Sequence, residues 1–251
     1  AALIIIASAT YTVMGVGMNM SAIDMTRMVG TMDHPMPMDK APGWTLSYAL
    51  LIFLMWWVMM IAMMTPSAAP VLLLYAAIKR IGADATSTTQ LSLLFLLGYL
   101  IVWGAFSAVA ATAQFVLENS GLINDGLMKI GSPTISGVIF LAAGLYQMSS
   151  LKLACLKHCR SPAHFLAEHN RPGPRGALIT GMDHGMYCFG CCWALMALLF
   201  VGGVMNLYWI AGLAIYVAAE KLLPNARWFV PLTGIGLIAA GLYSILMPML
   251  A

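Results

Sequence analysis

The five cysteines fall into two short groups, each with a histidine at helical spacing. In the run from Gly181 to Trp193, His184, Cys188 and Cys191 follow i, i+4, i+7, one stripe of a helix. Cys192 sits about 80° off that stripe. Asp183 is placed to orient His184 or to pair with a base on a neighbouring helix. In the second group Cys155, His158 and Cys159 share a face by i, i+3, i+4, and Lys157 and Arg160 favour the thiolate there. Thiolate and thioether sulfur select Cu(I), with zinc as the competing ion. The plainer readings are buried cysteines without a task for the first group and a basic helix end for the second.

Methionine supplies a third group. Met14, Met18, Met20, Met25, Met28, Met32, Met36 and Met38 crowd one segment. His34, Met36 and Met38 alternate, so an extended chain presents them on one side, and Pro35 and Pro37 favour that conformation. One imidazole with thioethers suits Cu(I) where thiols would be oxidised. Met55, Met59 and Met63 follow i, i+4, i+8 and make either a thioether relay along one helix or ordinary packing. Gln147, like Asp183 and these methionines, is read as a residue that orients the ligands or relays the ion, although a helix-bridging hydrogen bond explains it as simply. Glu220 and Lys221 read as a snorkelling pair at a helix end.

The elements that carry these residues are apolar helices. Of the 251 residues 61% are hydrophobic and 8% charged, where soluble domains carry about 25% charged residues. Mean hydropathy is +0.88. The long apolar runs lack the alternation of a membrane barrel. The expected fold is therefore all-α, a polytopic transmembrane bundle of about six to seven helices forming one integral membrane domain over residues 1–251. Spans are expected near 1–17, 44–78, 89–115, 133–151, 176–201, 207–219 and 229–250, with the second interrupted at Pro66 and Pro70. The chain opens on Ala1 without Met, and its first run is read as the remainder of a longer helix, not as a signal peptide.

Seven spans with an inside start put Lys79, Arg80, Lys152, Lys157, Arg160, Arg171, Arg175, Lys221 and Arg227 in the cytoplasm and leave Arg27, Lys40 and Lys129 outside. The Met-rich loop 18–43 is then external and the loop 152–175 cytoplasmic, in a bacterial inner membrane. The net charge of +3 reflects that topology and implies no nucleic-acid partner.

Several blocks together resemble a known family. They are Trp57 to Pro66, Gly144 to Gln147 with Lys152 and Cys155, His158 to Pro162, Cys188 to Trp193, and Glu220 with Lys221. The resemblance is to the bacterial family described as predicted metal-binding integral membrane proteins, a domain of unknown function, and it runs from about Trp44 to the C-terminus. It implies membrane location and metal, and no reaction.

The function expected is a soft-metal protein with copper as its ion, acting in transport, delivery or as an accessory subunit of a membrane metalloenzyme. Its partners would be lipid, other membrane subunits or a periplasmic metal protein. The alternative is a membrane thiol–disulfide oxidoreductase using Cys188 and Cys191 with Cys155 and Cys159. A structural subunit of a larger complex stands third. No catalytic residue is assigned.

Overall fold

The computed structural model describes residues 2–14, 23, 44–82, 85–124, 128–223 and 228–250. His34, Met36 and Met38, and almost all of the segment 18–43, lie outside the described residues. The elements in order are α1 (Ala2–Met14), α2 (Leu46–Ile81), α3 (Thr88–Asn119), β1 (Ile123–Asn124), β2 (Lys129–Ile130), α4 (Pro133–Gln147), α5 (Ser150–Arg160), α6 (Pro162–His169), α7 (Gly173–Ala197), α8 (Leu199–Gly202), α9 (Leu207–Leu222) and α10 (Phe229–Leu250). The fold is all-helical apart from the small antiparallel pair β1–β2, in which Ile123 faces Ile130.

Side-chain caps set several boundaries. Thr45 accepts from the Tyr48 amide at the start of α2, Ser149 from Lys152 at α5, and Asn206 from Tyr208 and Trp209 at α9. Ser132 caps α4, with Pro133 in its first turn. The expected interruption at Pro66 and Pro70 does not occur, and α2 is one helix of 36 residues. Prolines remove rungs of the helical ladder. In this stretch the hydroxyls of Ser67 and Tyr99 both donate to the Met64 carbonyl, at 2.9 and 3.1 Å.

Among the described residues, four helical segments are long and apolar enough to cross a bilayer: Leu46–Ile81, Thr88–Asn119, Gly173–Gly202 and Phe229–Pro248. A fifth arises if α4 and α5, bent by 62° at their junction, count as one broken span. The described residues thus carry fewer spans than the six to seven expected. The described part of α1 has 13 residues and α9 has 16. At 1.5 Å per residue these reach about 20 and 24 Å, short of a hydrocarbon core of about 30 Å.

The segment 152–175 is also not the loop expected. Most of it is helix, because Pro162 starts α6 and Phe165 and Leu166 bury themselves in the bundle. Nor are all the bases solvent-facing: Lys79, Lys152 and Lys221 are buried.

Helices α3 and α7 pack side by side in the same direction. A Cβ on Gly181 would collide with the Phe95 carbonyl, and one on Gly98 with that of Leu178. This close approach, which small residues permit, seats α7 deep in the bundle. Trp56, Trp103, Met60 and Met64 fill the adjoining core. Large apolar side chains also cover the outside, with Leu73, Val109 and Ile215 about two-thirds exposed (69%, 67% and 70%).

Candidate metal centre

Helix α7 places its cysteines where α2, α3, α5 and α9 converge. Cys188, Cys191 and Cys192 are each 1% exposed, and all five cysteines are free thiols. The Cys191 Sγ lies 4.0 Å from the Cys159 Sγ of α5. A disulfide requires about 2.05 Å. Two thiolates on one ion at about 2.3 Å each stand up to about 4.6 Å apart. The separation thus suits two sulfurs sharing one soft ion.

Around this pair the other groups are soft or cationic. The Cys192 Sγ is 3.8 Å from the Met64 Sδ of α2 and donates to the Cys188 carbonyl at 2.9 Å. Lys221 of α9 turns inward and donates to the Cys188 Sγ at 3.0 Å and to the Ser67 Oγ at 3.2 Å. The Tyr99 hydroxyl also meets the Cys188 Sγ, at 3.1 Å. Gly190 makes room for α5, since a Cβ there would come within 2.6 Å of the Cys155 Sγ. The Tyr146 hydroxyl donates to the Gly190 carbonyl and ties α4 to the same point.

The sequence-defined triads are divided. His184, on the cysteine stripe, is 2% exposed and packs among Phe95, Tyr99 and Phe165, with ring centroids 6.1, 5.8 and 5.1 Å away. Its Nδ1 has no hydrogen-bond partner among the described residues. Cys155 lies beside Gly190, while His158 stacks on Tyr187 at 4.1 Å between centroids. Among the described residues no three His, Cys, Asp or Glu side chains form a ready-made metal site. What is gathered is a thiol pair, two further thiols, a thioether and an ammonium.

Asp183 pairs with Arg171 at 3.3 Å and does not serve His184. Met59 and Met63 are buried and Met55 half-buried, yet the thioether that reaches a thiol belongs to Met64, one residue off that stripe. Met64, Tyr99, Ser67 and Lys221 were all missed as site residues. The available signal was their place on faces that also carry buried residues: Trp56, Met60 and Met64 recur at i, i+4, i+8.

Glu220 and Lys221 are not a snorkelling pair. Glu220 points the other way and pairs with Lys152 at 2.8 Å, both side chains being essentially inaccessible. Gln147 joins them, accepting from the Lys152 Nζ at 2.7 Å and donating to Glu220. Tyr216 donates to the same carboxylate. Gln147 thus bridges helices and does not touch the thiols.

The model of the family described as "PpoB2: Copper chaperone" matches residues 53–244. The chain belongs to this copper chaperone family. The matched stretch holds all five cysteines, Met64, Lys152, Glu220 and Lys221, and leaves out the Met-rich segment 18–43. The family is copper-related, in keeping at that coarse level with the soft metal expected from the sulfur ligands, and its match covers nearly the stretch where the family resemblance lay. No curated protein and no solved structure matches the chain.

Proposed function

We propose that this chain is an integral membrane copper-handling protein that takes Cu(I) as cargo between Cys159 and Cys191 and delivers it to a partner metalloprotein. The observation that carries the reading is the 4.0 Å approach of the two thiols from different helices, with a buried lysine on the sulfur of Cys188, which shares a helix with Cys191. Charge balance supports it. Two thiolates and Cu(I) make a complex of net charge −1, and a buried charge is costly unless it is paired. The Lys221 ammonium supplies the matching +1. Cys188, Cys192 and Met64 stand next to the pair as further sulfur for ligand exchange. A soft ion moves between such ligands without bond chemistry more demanding than substitution.

Membrane insertion is supported by the long apolar helices and by the apolar outer surface, too extensive for a water-soluble monomer. The basic residues Lys79, Arg80, Arg171 and Arg175 gather at one end of the bundle, since Lys79 donates to the Arg171 carbonyl. The positive-inside rule makes that end cytoplasmic. Trp44, to which the Met-rich segment 18–43 leads, lies at the other end, bonded to Glu118.

Elemental analysis of anaerobically purified protein tests the proposal. Stoichiometric copper is expected, lower by one equivalent in Cys159→Ser and in Cys191→Ser. A metal-free protein with Cys159 and Cys191 joined as a disulfide would instead favour thiol–disulfide exchange, for which the same approach of thiols is suited.

A further inference from the structure

His158 and His169 come from different helices and meet at the basic end of the bundle. Their ring centroids are 6.4 Å apart and their planes cross at 86°. Both rings are clamped: His158 stacks on Tyr187, and His169 stacks on Phe165 at 4.7 Å. Each Nδ1 lies against the carbonyl four residues earlier, Ala154 at 3.0 Å and Phe165 at 3.1 Å. A carbonyl only accepts, so each Nδ1 carries the hydrogen and each neutral ring keeps its lone pair on Nε2. Metal-binding imidazoles are oriented in this way, with one nitrogen bonded to the protein and the other left for the ion. Neither Nε2 has a hydrogen-bond partner among the described residues. Two imidazoles on one ion at about 2.0 Å, opposed nearly in line, put their ring centroids roughly 6 Å apart.

We propose that His158 and His169 form a second, two-imidazole Cu(I) subsite at the edge of the bundle. The inference rests on the copper reading and extends it. Both side chains are half-exposed, whereas the thiols are closed off. His158 is the neighbour of Cys159, and Tyr187, against which His158 lies, is the neighbour of Cys188. The pair is therefore a port between the buried thiols and the surface at which a partner can exchange the ion. The ligand it takes is a monovalent soft ion that accepts two nitrogen donors. The step is ligand exchange alone, Cu–S bonds giving way to Cu–N bonds, with no change of oxidation state.

The test is anaerobic titration of the purified full chain with Cu(I) against a chromophoric chelator, followed by X-ray absorption at one and at two equivalents. A second, weaker equivalent with added nitrogen scattering is expected. His158→Asn and His169→Gln should each weaken that equivalent by about tenfold or more and leave the first unchanged. Both positions are half-exposed, and an unchanged first equivalent certifies that the variants fold. Cys191→Ser should do the reverse, losing the first equivalent and keeping the second. A wild-type chain that binds one equivalent only, with sulfur alone around it, or variants that bind two equivalents as the wild type does, would overturn the subsite. A wild-type chain whose one equivalent is held by nitrogen and survives Cys191→Ser would count against the thiol site and not against the imidazoles.

Discussion

Two buried lysines contact α9 and its surroundings in opposite ways. Lys152 is fully enclosed by hard oxygen ligands, the Glu220 carboxylate at 2.8 Å and the Gln147 carbonyl oxygen at 2.7 Å. Glu220 in turn accepts from Gln147 and Tyr216, and Arg160 donates to its backbone carbonyl at 2.9 Å. Lys221, the next residue along the chain from Glu220, has no carboxylate in its ion pairs or hydrogen bonds among the described residues. Its contacts are the Cys188 sulfur and the Ser67 hydroxyl. The first lysine is neutralised by the protein itself and locks α5 to α9. The second is matched by sulfur, whose charge depends on what the thiols hold. On the proposed copper function, one region stays as it is and the other responds to a guest ion.

The largest effect expected from this contrast is on stability. Lys152→Met or Glu220→Gln alone leaves a buried polar or charged group without its partner and should cost about 3–5 kcal/mol. Thermal unfolding in detergent reads this. The double variant should recover much of the loss, since replacing both partners of a buried pair is often near neutral. If the single variants unfold like the wild type, the pair is not the lock described here.

Lys221→Met makes the sharper comparison. With no carboxylate to orphan, its effect on stability should be neutral or stabilising. Its effect on copper should be large, a drop in affinity of about 10–100-fold, because the anionic bis-thiolate complex loses its counter-charge. Equal destabilisation by Lys221→Met and Lys152→Met would erase the distinction between the two regions. The smallest effect belongs to Met64→Leu, a volume-conserving change worth less than about 1.5 kcal/mol in the core. Copper release to a chelator should change by only a few-fold, read by stopped-flow absorbance, if the thioether is an exchange ligand and not an anchor.

Much of this arrangement is legible in the residue types. Apolar runs give the long helices, and the stripe His184–Cys188–Cys191 lies on one helix as spaced, where Gly181, Gly185 and Gly190 sit at close approaches of neighbouring helices. The partners across helices are not legible. Cys159 and Cys191 are 32 residues apart in sequence, and their meeting depends on the bend between α4 and α5 and on the Tyr146 and Gly190 contacts. Helical spacing groups His158 with Cys155 and Cys159, but stacking on Tyr187 draws it towards His169. Charges near helix ends read as solvated by default, which hid both Lys152 and Lys221. Only a tertiary partner makes burial of a lysine affordable, and the sequence around each does not name that partner. The span number among the described residues falls short for a related reason: composition marks α1 and α9 as apolar, while their described lengths are too short to cross.

The central claim is that one Cu(I) sits between Cys159 and Cys191. Copper K-edge X-ray absorption on protein loaded anaerobically with a single equivalent measures it most directly. The expected result is a first shell of sulfur alone at about 2.3 Å, abolished by Cys191→Ser and by Cys159→Ser. A shell of nitrogen and oxygen at one equivalent, or a sulfur shell that survives both substitutions, would contradict it.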